Sequence, residues 1–304
     1  MRVLITGATG FVGSGLVEKF LKRNYSVNVL TRNVPRAAVK FGTEVEYFKW
    51  DPIKEDAPVE AFKNVDSIIH LLGENIAGKR WSEKVKKEIY DSRIIGTKNL
   101  INGMISSKAD IKTFISTSAV GIYGVRGDEE ITEEEALTPN DYLSKVCMDW
   151  EKVVHESLPS TIRKCIFRVG VVLGRQGGAL SKMEIPFKCG VGGVVGSGKQ
   201  IMSWIHVDDL RELYFEAVKK DSFEGIINAT APKPVSNKVF TKSLGKVLSR
   251  PTILPLPSFA AELALGELST VLLDGQKVIP EKALKLGYKF QYSTIDNALE
   301  NIYR

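Results

Sequence analysis

The chain predicts an α/β fold, a doubly wound parallel sheet with a smaller lobe at its C-terminal end. Three observations carry this. Short apolar runs of strand length alternate with longer runs of helical period up to about residue 175. The first apolar run passes directly into a glycine-rich turn and then an amphipathic helix. Past residue 175, glycine pairs and prolines cut the chain into short pieces.

The elements follow in order. Residues 3–6 read as an apolar strand, and Phe11, Leu16, Val17, Phe20 and Leu21 share one face of a first helix. Residues 27–30 and 45–48 read as the second and third strands, and 67–72 as a buried fourth. A long helical pattern runs from 82 to about 106. The fifth strand is read at 113–116, a helix at 141–155 and the sixth strand at 164–172. Such alternation implies parallel strands, right-handed crossovers and ligands at the carboxyl ends of the strands. Gly177-Gly178, the stretch from Gly190 to Gly198 and the prolines from Pro232 to Pro257 mark the lobe. Residues 205–218 and 225–229 are expected to rejoin the main sheet. The expected division is 1–175, with 200–230 returning to the sheet, and 176–304.

Composition narrows the function classes. With 304 residues, 43% hydrophobic and 26% charged, the chain reads as an ordinary soluble globular protein. The net charge of +6 suits an anionic ligand. Its lysines are spread out and not interleaved with aromatics, so no nucleic-acid partner is expected. Cys147, Cys165 and Cys189 lack metal or redox spacing, and His70, His155 and His206 lie far apart, so no metal is expected. No stretch is long and apolar enough to span a bilayer, and the first residues enter the fold at once. A cytoplasmic protein without a membrane partner is the expectation.

The glycine turn carries the chemistry. Gly7 permits a sharp turn where the strand ends. Gly10 lets backbone approach a pyrophosphate, and Gly13 lets the helix pack closely on the strand. Phosphates then sit at the helix N-terminus, where free N–H groups and the helix dipole favour negative charge. Gly7, Thr9, Gly10, Phe11, Val12 and Gly13 are therefore the candidate cradle of a Rossmann-type sheet.

The second strand selects the dinucleotide. NAD enzymes place an acidic residue at its end to bond the ribose 2′-hydroxyl. Here no Asp or Glu occurs between Lys19 and Thr43, while Arg32, Arg36 and Lys40 follow the strand. A guanidinium binds a 2′-phosphate that a carboxylate would repel. NADP(H) is the expected cofactor, with Arg32 as main contact, Thr31 as hydroxyl donor and Arg36 as a weaker candidate.

The loop Ile115-Ser-Thr-Ser118-Ala-Val-Gly-Ile-Tyr123-Gly124 and the segment Trp204-Ile-His206-Val-Asp208-Asp209 resemble the extended short-chain dehydrogenase/reductase family of nucleotide-sugar epimerases and dehydratases. Further segments resemble an atypical, epimerase-like branch with a C-terminal domain of unknown function. These are His70 to Ile76 with Arg80-Trp81, Asp91-Ser-Arg93 with Thr97, Phe167 to Gly174 with Gly177-Gly178, Gly196-Ser-Gly198, and Leu273 to Pro280. The C-terminal domain would fall at about 249–297. The resemblance implies NADP(H). It places Leu71, Leu72, Gly73, Glu88 and Arg93 near the cofactor, although a long helix with alternating charges accounts for the last two equally. It implies that Ser118 offers a hydroxyl to the reacting carbonyl.

That family works through Tyr-x-x-x-Lys on a helix. The lysine holds the nicotinamide ribose and lowers the tyrosine pKa for proton transfer. Here Asn140-Asp141-Tyr142-Leu-Ser-Lys145 places Asp141 where tyrosine would stand and Tyr142 one position later, about 100° around the helix. Three roles fit. Tyr142 serves at three-residue spacing. Asp141 handles the proton, if burial raises its pKa against the pull of Lys145. Or Asp141 caps the helix and does no chemistry. Tyr123 is a further phenol that a packing role explains, and Glu133 to Glu135 are expected on the solvent side.

The function expected is an NADP(H)-binding oxidoreductase or epimerase-like enzyme. It would pass a hydride to or from a small-molecule substrate that the lobe's residues do not specify. The competing class is a non-catalytic NADP(H)-binding regulator or scaffold, favoured by the altered Tyr-x-x-x-Lys pair. The apolar stretches at 260–265 and 268–273 suit a partner surface or closure of the lobe. A monomer and a homodimer are both compatible with the sequence.

Overall fold

In the computed structural model, which describes every residue but Thr138, Gln176 and the side chain of Ala264, seven apolar runs form one parallel sheet. They are β1 (Arg2–Thr6), β2 (Ser26–Thr31), β3 (Val45–Lys49), β4 (Ser67–His70), β5 (Thr113–Ala119), β6 (Arg163–Val169) and β7 (Gly225–Ala229). The spatial order is β7-β6-β5-β4-β1-β2-β3, so the strand order reverses between β1 and β4. There Thr6 lies in register with His70, and the crevice outside the two strand ends is the ligand position of such sheets.

Alternation along the strands builds two cores. Val3 and Ile5 face α1 (Phe11–Lys22), while Leu4 faces the opposite side. The layer on the α1 side also holds α2 (Val34–Phe41) and α6 (Val207–Lys219); the other holds α3 (Glu83–Ser107) and α4 (Tyr142–Ser157). Both faces are covered, which is why the strands read as continuous apolar runs. Each fully buried large aliphatic side chain contributes about 1.5–3 kcal/mol. A third core packs the lobe, from α5 (Leu180–Lys188), α7 (Asn237–Leu248) and the C-terminal helix Ile295–Tyr303. α8 (Ser258–Leu265) lies between them in sequence. Among the described residues, no helix is long and apolar enough to cross a membrane.

Two expectations about strands are corrected. β4 stops at His70, so Leu71 and Leu72 belong to the crossover loop. The run 164–172 is not one strand. β6 ends at Val169, and Val171–Leu173 leaves the sheet to pair with Trp204–His206 in a separate parallel ribbon. The switch falls at Gly170, where a Cβ would stand 2.5 Å from the Ser203 carbonyl oxygen, and Val171 N–H donates to that oxygen at 2.8 Å. Residues 205–218 therefore join through this ribbon and α6, while β7 alone returns to the main sheet.

Buried polar groups join the sheet to what lies above it. Glu151 on α4 holds the Arg168 guanidinium at 2.8 and 3.0 Å, Arg168 donates to the Tyr123 hydroxyl at 2.9 Å, and Tyr123 donates to Asn228 at 2.8 Å. Tyr123 thus has a packing and bonding role. Glu133 is not turned to solvent as expected: its carboxylate accepts the Asn228 N–H at 2.9 Å and the Lys282 N–H at 3.2 Å. The C-terminal segment is tied down by buried Asp209, which accepts the N–H groups of Gln291 and Tyr292 at 2.8 and 2.9 Å.

Candidate functional site

The glycine turn is built as close backbone contact requires. Gly7 has φ +65°, and a Cβ there would stand 2.8 Å from the Leu71 carbonyl oxygen. A Cβ on Gly13 would stand 2.4 Å from the Gly7 oxygen. Gly10 is the N-cap of α1 and supplies no side-chain cap, and the first turn carries no acidic residue. The N–H groups of Phe11, Val12 and Gly13 have no protein acceptor among the described residues. The helix thus offers bare donors and the positive end of its dipole at the switch point. The Phe11 ring packs under Gly174, Gly177 and Gly178. The Thr9 carbonyl accepts from Lys40 Nζ at 3.4 Å.

At the end of β2, the Thr31 hydroxyl accepts the Asn33 N–H at 3.2 Å, and Asn33 caps α2 by accepting the Arg36 N–H at 3.0 Å. Arg32 and Arg36 are exposed. One acidic neighbour comes from the next strand. Asp51, just past β3, is held below the usual carboxylate range, first by Lys54 at 3.0 Å and, more weakly, by the Arg32 charge.

Beneath the turn, His70 is fully buried. Its Nδ1 lies 2.8 Å from Thr6 Oγ1 and its Nε2 lies 2.9 Å from Thr97 Oγ1. Trp150 Nε1 donates to the same Thr97 hydroxyl at 2.9 Å. Burial pushes the imidazole down to about 3, so it is neutral. The Leu71 N–H donates to Thr6 Oγ1 at 3.2 Å. The two strand ends that flank the crevice are thus locked to α3 and α4. Neither His70 nor Thr97 carries a local signal for this role.

Leu71, Leu72 and Gly73 form the lip of the crevice. Arg93 holds this loop by donating to the Glu74 carbonyl at 3.2 Å and to the Ile89 carbonyl at 3.0 Å. Gly73 packs against the guanidinium, where a Cβ would lie 3.1 Å from Cζ. Burial lowers the Arg93 pKa. Glu88 pairs with Lys79 at 3.4 Å.

At the carboxyl end of β5, Ser118 is 1% exposed and its Oγ has no hydrogen-bond partner among the described residues. Asp141 is exposed and caps α4, accepting the Ser144 N–H at 2.8 Å. The Tyr142 hydroxyl donates to the Lys86 carbonyl at 2.5 Å, and its ring meets Trp81 edge-on at 5.4 Å. Burial pushes that phenol up, away from neutral titration. Lys145 is exposed, and no ion pair holds it among the described residues. Asp274, from the lobe, feels the Asp141 charge; burial first, and that charge second, push its carboxyl up. The sequence places Asp274 in a family-like segment without indicating that it faces Asp141. The lobe also meets the first turn of α3, where Lys86 pairs with Glu267 at 2.5 Å, and the loop before it, where Lys182 donates to the Ala77 carbonyl.

Sheet order, glycine turn and buried hydroxyl together define a dinucleotide-binding α/β protein, and the chain belongs to the NAD dependent epimerase/dehydratase family, which it matches over residues 3–229. This is the extended short-chain dehydrogenase/reductase class. Residues 256–302 match a domain of unknown function (DUF1731).

Within that class the similarity is to one group of epimerase family proteins. The chain is 40% identical over 305 residues to the chloroplastic SDR39U1 homolog of Arabidopsis thaliana, covering 99% of this chain and 86% of the relative. It is 37% identical to YfhF of Bacillus subtilis, covering 99% and 98%. The crystal structure of human SDR39U1 (isoform 2) with NADPH superposes with a TM-score of 0.89 at 31% identity, covering 100% of this chain and 99% of that one.

Proposed function

We propose that the chain binds NADP(H) at the glycine turn and transfers a hydride to or from a small-molecule substrate held under the lobe. The observation that carries this is Ser118: a hydroxyl buried at the carboxyl end of β5 with no partner among the described residues. Such a group costs stability unless something completes its bonding, and a substrate oxygen would do so. The bare N–H groups of α1, and Arg32 at the end of a β2 whose own flanking residues include no carboxylate, fit a phosphorylated dinucleotide. NADPH in the human neighbour supports the same choice.

In this reading Gly7, Thr9, Gly10, Phe11, Val12 and Gly13 cradle the diphosphate. Thr31 and Arg32, with Arg36, take the 2′-phosphate. Leu71, Leu72 and Gly73 border the cofactor, Arg93 shapes that border from behind, and Glu88 stands at its outer edge. Once bound, the nicotinamide supplies the hydride donor or acceptor. Ser118 donates to the substrate oxygen, Lys145 reaches the ribose, and Asp141 or Tyr142 handles the proton. Holding the reactants in register is the fold's main contribution. Residues 1–175 with 200–230 form the cofactor half, and 176–304 form the substrate lobe. The free cysteines fit a reducing compartment such as the cytoplasm.

Calorimetry with NADPH and NADH tests the cofactor. NADPH binds more tightly, and Arg32→Ala removes the preference; equal affinities unchanged by that substitution would overturn it. NADPH absorbance across a panel of nucleotide sugars, ketones and quinones tests the chemistry. Turnover is abolished by Ser118→Ala and Lys145→Met.

A second reading is a non-catalytic NADP(H)-binding regulator. The Asp141 cap and the Tyr142 hydroxyl committed to Lys86 favour it. Tight NADPH binding with no turnover across the panel would select it.

A further inference from the structure

The loop that follows Val171–Leu173 is built to press on the glycine turn. A Cβ on Gly174 would stand 2.6 Å from Phe11 Cζ, and one on Gly177 would stand 2.8 Å from Phe11 Cδ2. Only glycine lets the chain lie this close to the ring. Gly174 and Gly177 therefore hold the loop, and Arg175 with it, against the residue whose N–H is among the bare donors of α1. Arg175 lines a cavity of about 390 Å³ over the N-terminal ends of α1 and α6, together with Thr9, Gly10 and Phe11. Those three residues belong to the proposed diphosphate cradle, so the cavity is part of the dinucleotide site.

The charges of this cavity leave Arg175 free. Asp208 is the acidic residue of the lining, and Arg211 answers it at 3.1 Å. Lys40 reaches the turn from α2, with Nζ 3.4 Å from the Thr9 carbonyl. Arg175 is exposed, and no hydrogen bond or ion pair holds it among the described residues. Glu184, a carboxylate that feels its charge, is already taken by Lys188 at 2.8 Å and by the Tyr303 hydroxyl at 2.7 Å. Exposure alone would mean little, since water solvates a surface guanidinium well. Here the chain that carries it is fixed against the donor turn. A diphosphate on that turn meets helix N–H groups on one side and a planar fork of donors on the other.

We propose that Arg175 grips the cofactor diphosphate opposite the α1 N-terminus, which makes the loop after Val171–Leu173 a second phosphate-binding loop. This rests on the reading of the glycine turn as a dinucleotide site. Arg175 and Arg32 read different groups. Arg32 meets the 2′-phosphate, which NADPH carries and NADH lacks. The diphosphate is common to both coenzymes, so Arg175 sets affinity for the two alike and selects neither.

Calorimetry with NADPH, NADH and 2′-AMP on the wild type, Arg175→Ala and Arg175→Lys tests this. Arg175→Ala weakens NADPH and NADH by the same factor, about tenfold, as expected for one lost charge-assisted contact. It leaves 2′-AMP, which has no diphosphate, unchanged. Arg175→Lys recovers part of the loss, because a point charge replaces the fork. The ligand-free variants melt at the wild-type temperature, which separates lost contact from lost fold. Coenzyme affinities within about twofold of wild type in Arg175→Ala would overturn the proposal alone. So would a loss confined to NADPH or shared by 2′-AMP, which would assign Arg175 to the 2′-phosphate. Wild-type protein that binds neither coenzyme would overturn the cofactor reading as well.

Discussion

Asp141 and Ser144 hold each other at the start of α4. The Asp141 carboxylate accepts the Ser144 N–H at 2.8 Å, and the Ser144 hydroxyl accepts the Asp141 N–H at 3.1 Å. Two helix-end donors are satisfied reciprocally, with serine in the position glutamate usually takes in such a box. Asp141→Ala should lower unfolding free energy by about 1 kcal/mol in urea titrations. Asp141→Asn keeps an accepting oxygen and should restore most of it. If turnover survives Asp141→Asn, the carboxylate moves no proton; if it vanishes while stability holds, the aspartate is chemical.

Ser118 offers the opposite signature. Its Oγ is desolvated without a bond, so removing it strands nothing. Ser118→Ala should leave stability unchanged or raise it by up to about 1 kcal/mol. Thermal denaturation reads this, and a drop of several degrees would mean that the hydroxyl has a structural partner after all.

Glu151 and Arg168 are both buried and joined bidentately. Glu151→Ala strands a guanidinium beneath the candidate site and should cost about 3–5 kcal/mol. Replacing the pair by leucine and methionine should cost much less, since no unpaired charge remains. Urea midpoints of the single and double variants provide the comparison.

His70 makes stability depend on pH. Its folded pKa of about 3 lies below the ordinary 6.5. Between those values the unfolded chain takes up a proton that the folded chain does not. The contribution is therefore complete above pH 6.5 and is lost as pH falls toward 3. His70→Asn should be less stable at neutral pH but should show a shallower fall on acidification. Equal slopes in the two proteins would remove the claim.

Much of the site was legible because it is local. Gly7, Gly10 and Gly13 announce their roles through spacing alone, since positive φ and close approach are needs of the backbone itself. Gly170 was not legible: Arg168-Val-Gly-Val-Val reads as one apolar run, and only the Ser203 carbonyl, crossing 33 positions later in the chain, makes it a break. Glu133 sits in a run of three glutamates that no local rule tells apart, and its partners Asn228 and Lys282 are remote.

By itself, then, the sequence determined the parallel sheet, its helical layers and the glycine turn that faces the switch point, because apolar period and backbone sterics act over a few residues. Only the tertiary structure decided how the polar groups are spent. It committed Tyr142 to Lys86, His70 to Thr6 and Thr97, and Asp141 to the cap of α4, and it left Ser118 Oγ without a partner among the described residues. Hydrogen bonding in a buried site depends on which groups the fold brings within about 3 Å. Most of those groups come from strands and helices far apart in the chain.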